Sequence, residues 1–213
     1  MWLFSSEKRH FTVCLWRTLV LLMSFCIFPQ KSVSQTAAET CYVYLKTNAV
    51  GWGMLIPNIS VEMNVCQHWS VAFPVYYSAI NYFSSEVKFR TTCFQPEVRY
   101  WFSENNTGWF GGAHLGVAWF NYAKGGAWRY QDHNRHTPAM GGGISGGYRM
   151  PISKNQRWLM EFSLGTGIYK LHYDKFQNEP NGRLVETKKR TFFGIDQLSV
   201  SFAYRFDLKN KKK

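Results

Sequence analysis

The sequence predicts an all-β fold, an eight-stranded antiparallel up-and-down transmembrane β-barrel. Three observations carry that expectation: a two-residue alternation of large apolar and small or polar side chains, strands longer than soluble sheets normally use, and aromatic residues gathered at strand ends. The chain has 213 residues, with 18% aromatic, 18% charged and 17 glycines. One domain suits that length, and the charged fraction is low for a water-exposed surface.

The start of the chain sets the expected compartment. Lys8, Arg9 and Arg17 precede the apolar run Leu19 to Phe28, and Ser32-Val33-Ser34 offers small residues at signal-peptidase spacing. Residues 1–34 are therefore read as a cleaved signal peptide and 35–213 as a single barrel domain. The run is short for a helix of about 20 residues across a bilayer. The alternatives are a retained anchor beginning at Phe11 and a lipoprotein attached at Cys26, where Phe25 replaces the expected small residue. No later segment is apolar for long enough to form a helical span.

The alternation is clearest near the end. Leu198, Val200, Phe202, Tyr204 and Phe206 share one face, and Gln197, Ser199, Ser201, Ala203 and Arg205 share the other. Between Trp158 and Leu171, Trp158, Met160, Phe162, Leu164 and Ile168 oppose Glu161, Ser163, Gly165 and Gly167. Phe94, Pro96, Val98, Tyr100 and Phe102 oppose Gln95, Glu97 and Arg99. Met140, Ile144, Tyr148 and Met150 oppose Gly141, Gly143, Ser145, Gly147 and Arg149. Leu115, Val117 and Trp119 oppose His114 and Gly116. Val71, Phe73, Val75 and Tyr77 oppose Ala72 and Ser78; Ile59, Val61, Met63 and Val65 oppose Ser60, Glu62 and Asn64. The weakest segment sets Val43, Leu45 and Ala49 against Lys46 and Asn48. Strands are expected near 42–53, 58–66, 69–82, 87–102, 109–123, 137–151, 157–173 and 190–207.

The connections fit short turns at one end, at Gln67-His68, Ser103 to Gly108 and Ser153 to Gln156. Longer loops are expected at the other end, at Lys124 to His136 and Asp174 to Lys189. Inward glycines suit a narrow, tightly curved interior. Gly141-Gly142-Gly143 lacks the lysine and the following helix of a phosphate-binding loop.

Seven inward residues form the candidate interior polar network: Lys46, Glu62, Glu97, Arg99, Arg149, Glu161 and Arg205. Charges inside such an interior must pair to be tolerated. A structural ion-pair network that seals the lumen is the plain reading, and a narrow channel is the sharper one. Asp132, His133 and His136, with Asp174 and Ser84 or Ser85 on neighbouring loops, are acid–base and metal-ligand types, but no GxSxG motif is present. No catalytic residue, metal site or cofactor is assigned. Cys41 and Cys66 fall at the same end of adjacent strands, so a disulfide and two free thiols both remain open; Cys93 is expected to be free and inward.

The net charge is +12. No basic stretch interleaves with aromatics in a compact module, so nucleic acid is not an expected partner. Lys175, Arg183, Lys188, Lys189 and Arg190 make one outward connection basic, which suits lipopolysaccharide.

Leu45-Lys46-Thr47-Asn48, Pro57-Asn58-Ile59-Ser60-Val61-Glu62, Tyr100-Trp101, Gly141 to Tyr148 and Asp196 to Phe206 together resemble the DUF3575 family of outer-membrane barrels from Bacteroidetes. The resemblance covers about residues 42–208 and brings no catalytic activity with it. It implies a bacterial outer-membrane location, contact with outer-membrane lipid, and a fimbrial or cell-surface protein partner. The expected function is that of a non-enzymatic integral outer-membrane barrel with a structural, anchoring or surface-assembly role. A narrow channel and a barrel-embedded lipid-modifying enzyme are the alternatives.

Overall fold

In the computed structural model, residues 41–81, 86–103 and 105–208 are described; the expected signal peptide lies outside them. The two-residue alternation builds ten antiparallel strands and one short helix. They are β1 (Cys41–Asn48), α1 (Ala49–Gly53), β2 (Asn58–Cys66), β3 (Trp69–Ser78), β4 (Val87–Phe94), β5 (Glu97–Trp101), β6 (Gly108–Lys124), β7 (Trp128–Asp132), β8 (Ala139–Pro151), β9 (Trp158–Gln177) and β10 (Leu184–Leu208). Each strand pairs antiparallel with its neighbours. β4 and β5 both lie between β3 and β6, β7 and β8 both lie between β6 and β9, and β10 returns to β1, so the sheet forms a ring.

This corrects the expected eight-stranded up-and-down transmembrane β-barrel. The strand expected over 87–102 is two strands, interrupted at Gln95-Pro96, because proline cannot donate to a ladder. An additional strand, β7, forms within the connection expected over Lys124 to His136. The strand expected over 42–53 stops at Asn48. There the Asn48 side chain accepts from the Val50 amide at 3.0 Å, capping α1, and Asn58 Nδ2 donates to the Asn48 carbonyl at 3.0 Å.

The early end of β1 has a consequence for closure. β1 pairs with β10 only over Ser201–Leu208, whereas β9 lines the other edge of β10 from Leu184 onward. Among the described residues no strand covers the free edge of β10 from Leu184 to Val200. The Asn48 side chain bonds to it, through the Leu198 carbonyl at 3.1 Å and the Val200 amide at 3.2 Å. The ring is therefore seamed by strands at one end and not at the other. The integral outer-membrane barrel role falls with this correction, together with its channel and barrel-enzyme alternatives. No helix among the described residues is long and apolar enough to cross a membrane, a statement about helices alone.

The long connection expected over Asp174 to Lys189 is mostly paired strand, with β9 running to Gln177 and β10 starting at Leu184. A backbone ladder needs no apolar side chains. Thr187 donates to Asp174 at 2.7 Å and Lys188 pairs with Glu186 at 3.0 Å within it.

The ring carries its polarity inside out. Among the described residues, Tyr44, Leu159 and Ala203 form a small buried apolar cluster with Tyr42 packed against it, and Trp101 and Phe110 are buried beside the charges. The opposite face leaves Ile59, Val65, Trp109, Leu115, Ile144, Ile168 and Phe193 exposed. At the short-turn end, direct cross-strand partners stack edge to face: Trp69 with Tyr100 at 5.1 Å, Trp109 with Tyr148 at 5.1 Å and Trp158 with Tyr204 at 5.0 Å.

Candidate functional site

Six of the seven expected interior charges meet in one cluster, delivered by the inward positions of β1, β2, β5, β8 and β9. Lys46 Nζ lies 2.6 Å from Glu62 and 3.2 Å from Glu161. Arg99 reaches Glu97 at 2.6 Å, Glu161 at 2.7 Å and Glu62 at 3.2 Å. Arg149 reaches Glu161 at 2.5 Å and Glu62 at 2.6 Å. Three cations thus face three carboxylates, and the formal charges cancel. Every one of the six is buried.

Burying charge is costly unless every lone pair and proton is engaged. Here the remaining capacity is met by neutral groups. Ser70 Oγ donates to Glu62 at 2.8 Å and itself accepts from Trp101 Nε1 at 2.8 Å. Ser145 Oγ donates to Glu97. Aromatic faces cover the guanidinium planes: Arg149 lies 4.5 Å from the Tyr44 ring centre and 4.4 Å from that of Trp101, and Arg99 lies 4.5 Å from that of Phe110. Glycine makes room for these rings, since a Cβ on Gly147 would stand 2.5 Å from Phe110 Cζ. A pocket of about 20 Å³, room for about one water, borders Lys46, Glu97, Arg99 and Glu161, so the ionic core is close to filled.

Arg205, the seventh expected member, stands apart. It pairs with Asp207 at 3.1 Å and lies 4.8 Å from the Tyr42 ring centre. Cys66 is exposed with a free thiol; the side chain of Cys41, its expected partner, lies outside the described residues. Cys93 is also a free thiol.

The acid–base types at the other end do not converge. His133 Nδ1 meets Asp174 at 2.8 Å, and its ring stacks on His172 at 4.0 Å. Asp174 also accepts from the Asn134 amide at 3.2 Å and from Thr187. Burial pushes the Asp174 carboxyl up, but the hydrogen bonds from Thr187, His133 and Asn134 outweigh it and hold the group below its ordinary value. Asp132 is turned the other way, accepting from the Phe120 amide at 3.2 Å. Burial pushes its carboxyl up, against that amide. The His133 Nε2 faces Asn134 Nδ2 at 3.0 Å rather than a hydroxyl nucleophile. Ser84 and Ser85 lie outside the described residues. Among the described residues, no three His, Cys, Asp or Glu side chains are placed to share a metal ion.

His114 and Gln95, both read from the sequence as inward, are buried and belong to a second interior group, whose centre, Asp196, the alternation did not place inside. His114 Nε2 and Tyr169 OH both contact Asp196 Oδ2, at 2.6 and 2.9 Å, and Gln95 Nε2 donates to Tyr169 OH at 3.4 Å. Strict alternation places Asp196 on the apolar side with Leu198. The register shift between Ile195 and Gln197 turns it inward, and no sequence signal announces a bulge there.

No curated protein and no solved structure matches the chain. A family model described as protein of unknown function (DUF3575) matches residues 18–206. That match covers most of the sequence, including all of the ionic cluster, and the chain belongs to the DUF3575 family.

Proposed function

We propose that this protein works at the bacterial outer membrane, where its apolar outer face takes outer-membrane lipid as its partner, and that its role is contact rather than catalysis. The supporting observation is the apolar outer face bordered by the Trp–Tyr pairs. Leu115, Trp109 and Phe193 are 67%, 66% and 74% exposed, while the charges sit inside. An apolar surface of that extent is unfavourable in water and needs a partner. Tryptophan and tyrosine suit the boundary between hydrocarbon and water, because each ring joins an apolar body to a polar tip. Lys189 and Arg190, exposed in the far part of β10, favour the phosphate groups of lipopolysaccharide beside that lipid.

The test is flotation. Purified mature protein is mixed with vesicles of outer-membrane lipid containing lipopolysaccharide and centrifuged through a density gradient, and cells are fractionated in parallel. Co-flotation at high salt, with recovery in the outer-membrane fraction, is expected. Protein that stays at the bottom of the gradient and in the periplasmic extract overturns the proposal.

A further inference from the structure

β10 outruns β1, its neighbour on one side. Over Glu186–Ile195 it pairs without interruption with β9, between the register shifts at Leu184/Glu186 and Ile195/Gln197. The opposite edge of that stretch is bonded by no other strand, turn or loop backbone among the described residues. Nearer to β1 the edge is occupied. There the Asn48 side chain takes the place of a strand residue, on the Leu198 carbonyl and the Val200 amide. A cavity of about 500 Å³ lies against the edge at that point, lined by Val50 and Ile56 near α1 and by Ile195 and Leu198. The free stretch therefore ends where α1 begins.

An unpaired strand edge is a template for another strand, because its outward N–H and C=O groups lack ladder partners. The side chains along the edge decide which strand it takes. Lys188, Lys189 and Arg190 are consecutive and exposed. By alternation Lys188 and Arg190 share one face and Lys189 takes the other. Lys188 meets Glu186 at 3.0 Å, while Lys189 and Arg190 pair with no carboxylate among the described residues. β9 supplies none to spare. Lys170 stands opposite Thr191, and Asp174, opposite Thr187, is already engaged by Thr187 and His133. Val185, Phe192 and Phe193 flank the cations and are exposed.

A second copy of this chain fits the edge poorly. A twofold pairing that uses all of Glu186–Ile195 sets the two cation triplets next to one another at its centre, and like charges across a ladder destabilise it. A pairing centred farther along runs into α1. The segments of this chain outside the described residues match no better. Residues 1–40 carry Lys8, Arg9, Arg17 and Lys31 against Glu7 and Glu39, and 209–213 is rich in lysine.

We propose that the free edge of β10 over Glu186–Ile195 docks an extended acidic segment of a partner protein as an added strand. Main-chain hydrogen bonds continue the ladder. Carboxylates on both faces of the segment meet Lys188, Lys189 and Arg190, and its apolar residues lie beside Phe192 and Phe193. The cations that keep two copies apart select this partner. The inference goes beyond the lipid reading and holds whether or not the apolar outer face meets lipid.

The test uses the full chain in a non-ionic detergent and a fluorescein-labelled peptide in which valine and threonine alternate on both sides of three glutamates. Anisotropy measures binding. The peptide is expected to bind at least about tenfold more tightly than its three-glutamine counterpart, the sum of several exposed ion pairs. Lys188→Gln, Lys189→Gln and Arg190→Gln together are expected to abolish that preference and leave the circular dichroism spectrum unchanged. Methylating alternate backbone nitrogens of the peptide removes donors and keeps the charge. Of the two alternate sets, at least one is expected to weaken binding about tenfold or more. Amide hydrogen exchange is expected to slow within Glu186–Ile195 when the peptide binds. Binding that tolerates both methylated sets is charge contact alone and overturns the proposal. So do equal binding of the glutamine peptide, no binding by either, dimerisation that protects these amides without peptide, and protection by lipopolysaccharide with none by the peptide.

Discussion

Replacing Arg149 by Met tests whether the filled interior holds the ring together. Arg149 is fully buried, pairs with Glu62 and Glu161, and lies against the Tyr44 and Trp101 rings. Methionine keeps much of the volume and removes one positive charge. The cluster then carries three buried carboxylates against two cations. Breaking one side of a buried pair typically costs about 3–5 kcal/mol. At a urea slope of about 2 kcal/mol per molar, the unfolding midpoint falls by roughly 2 M. Urea titration followed by near-ultraviolet circular dichroism measures this directly. Arg149→Lys should recover little, because an ammonium has no planar face to stack between the Tyr44 and Trp101 rings. The decisive comparison is Arg149→Met combined with Glu161→Gln, which restores formal neutrality. The double variant should be more stable than the summed single losses predict, by about 1–3 kcal/mol. A loss under about 1 kcal/mol for Arg149→Met, or strict additivity in the double variant, would refute the idea that charge balance holds this interior.

Two further outcomes follow from the same coordinates. Gly147→Ala places a methyl group 2.5 Å from Phe110 Cζ and against the Phe162 carbonyl, so it should destabilise by about 1–3 kcal/mol in the same titration, whereas Gly111→Ala, where a Cβ meets nothing within 4 Å, should stay within about 0.5 kcal/mol. Asp174 has its carboxyl held below the ordinary 3.8 in the folded chain; its contribution is fully present above that value and lost as pH falls through the lower folded value, so hydrogen exchange at the β9–β10 extension should accelerate below about pH 4 relative to the intrinsic rate, and Asp174→Asn should remove that acid-dependent component.

The sequence announced the faces of the strands and missed where the faces change. Period-two alternation is a local property, so Glu62, Glu97, Arg99, Arg149 and Glu161 were legible as inward residues before any register was known. Which cation meets which carboxylate depends on stagger between strands, and that is set by pairs such as Arg149 opposite Glu161. Arg205 shares the inward face but sits farther along β10, beside Tyr42 and Asp207, and so was grouped wrongly by face alone. The early end of β1 had a readable sign in Asn48, a helix-capping type followed by Gly51 and Gly53, but Ala49, set on the face of Val43 and Leu45, carried the alternation past it. The bulge at Asp196 had none. A single extra residue shifts no composition and breaks alternation for one step only, yet it carries a carboxylate from one face to the other.

These two irregularities act on the same end of the molecule. Had β1 continued as a strand over 42–53, it would have covered more of the β10 edge that now borders the cavity, and α1 would not contribute Val50 to the wall. Had β10 run without its bulge, Asp196 would face outward with Leu198, leaving His114 and Tyr169 without their shared acceptor. The ionic cluster is built the opposite way, with charges cancelled and a bordering pocket of only about 20 Å³. Unsatisfied buried acceptors such as Asp196 Oδ1 and empty volume each cost stability, and the ionic core next to them supplies the rigidity that tolerates both.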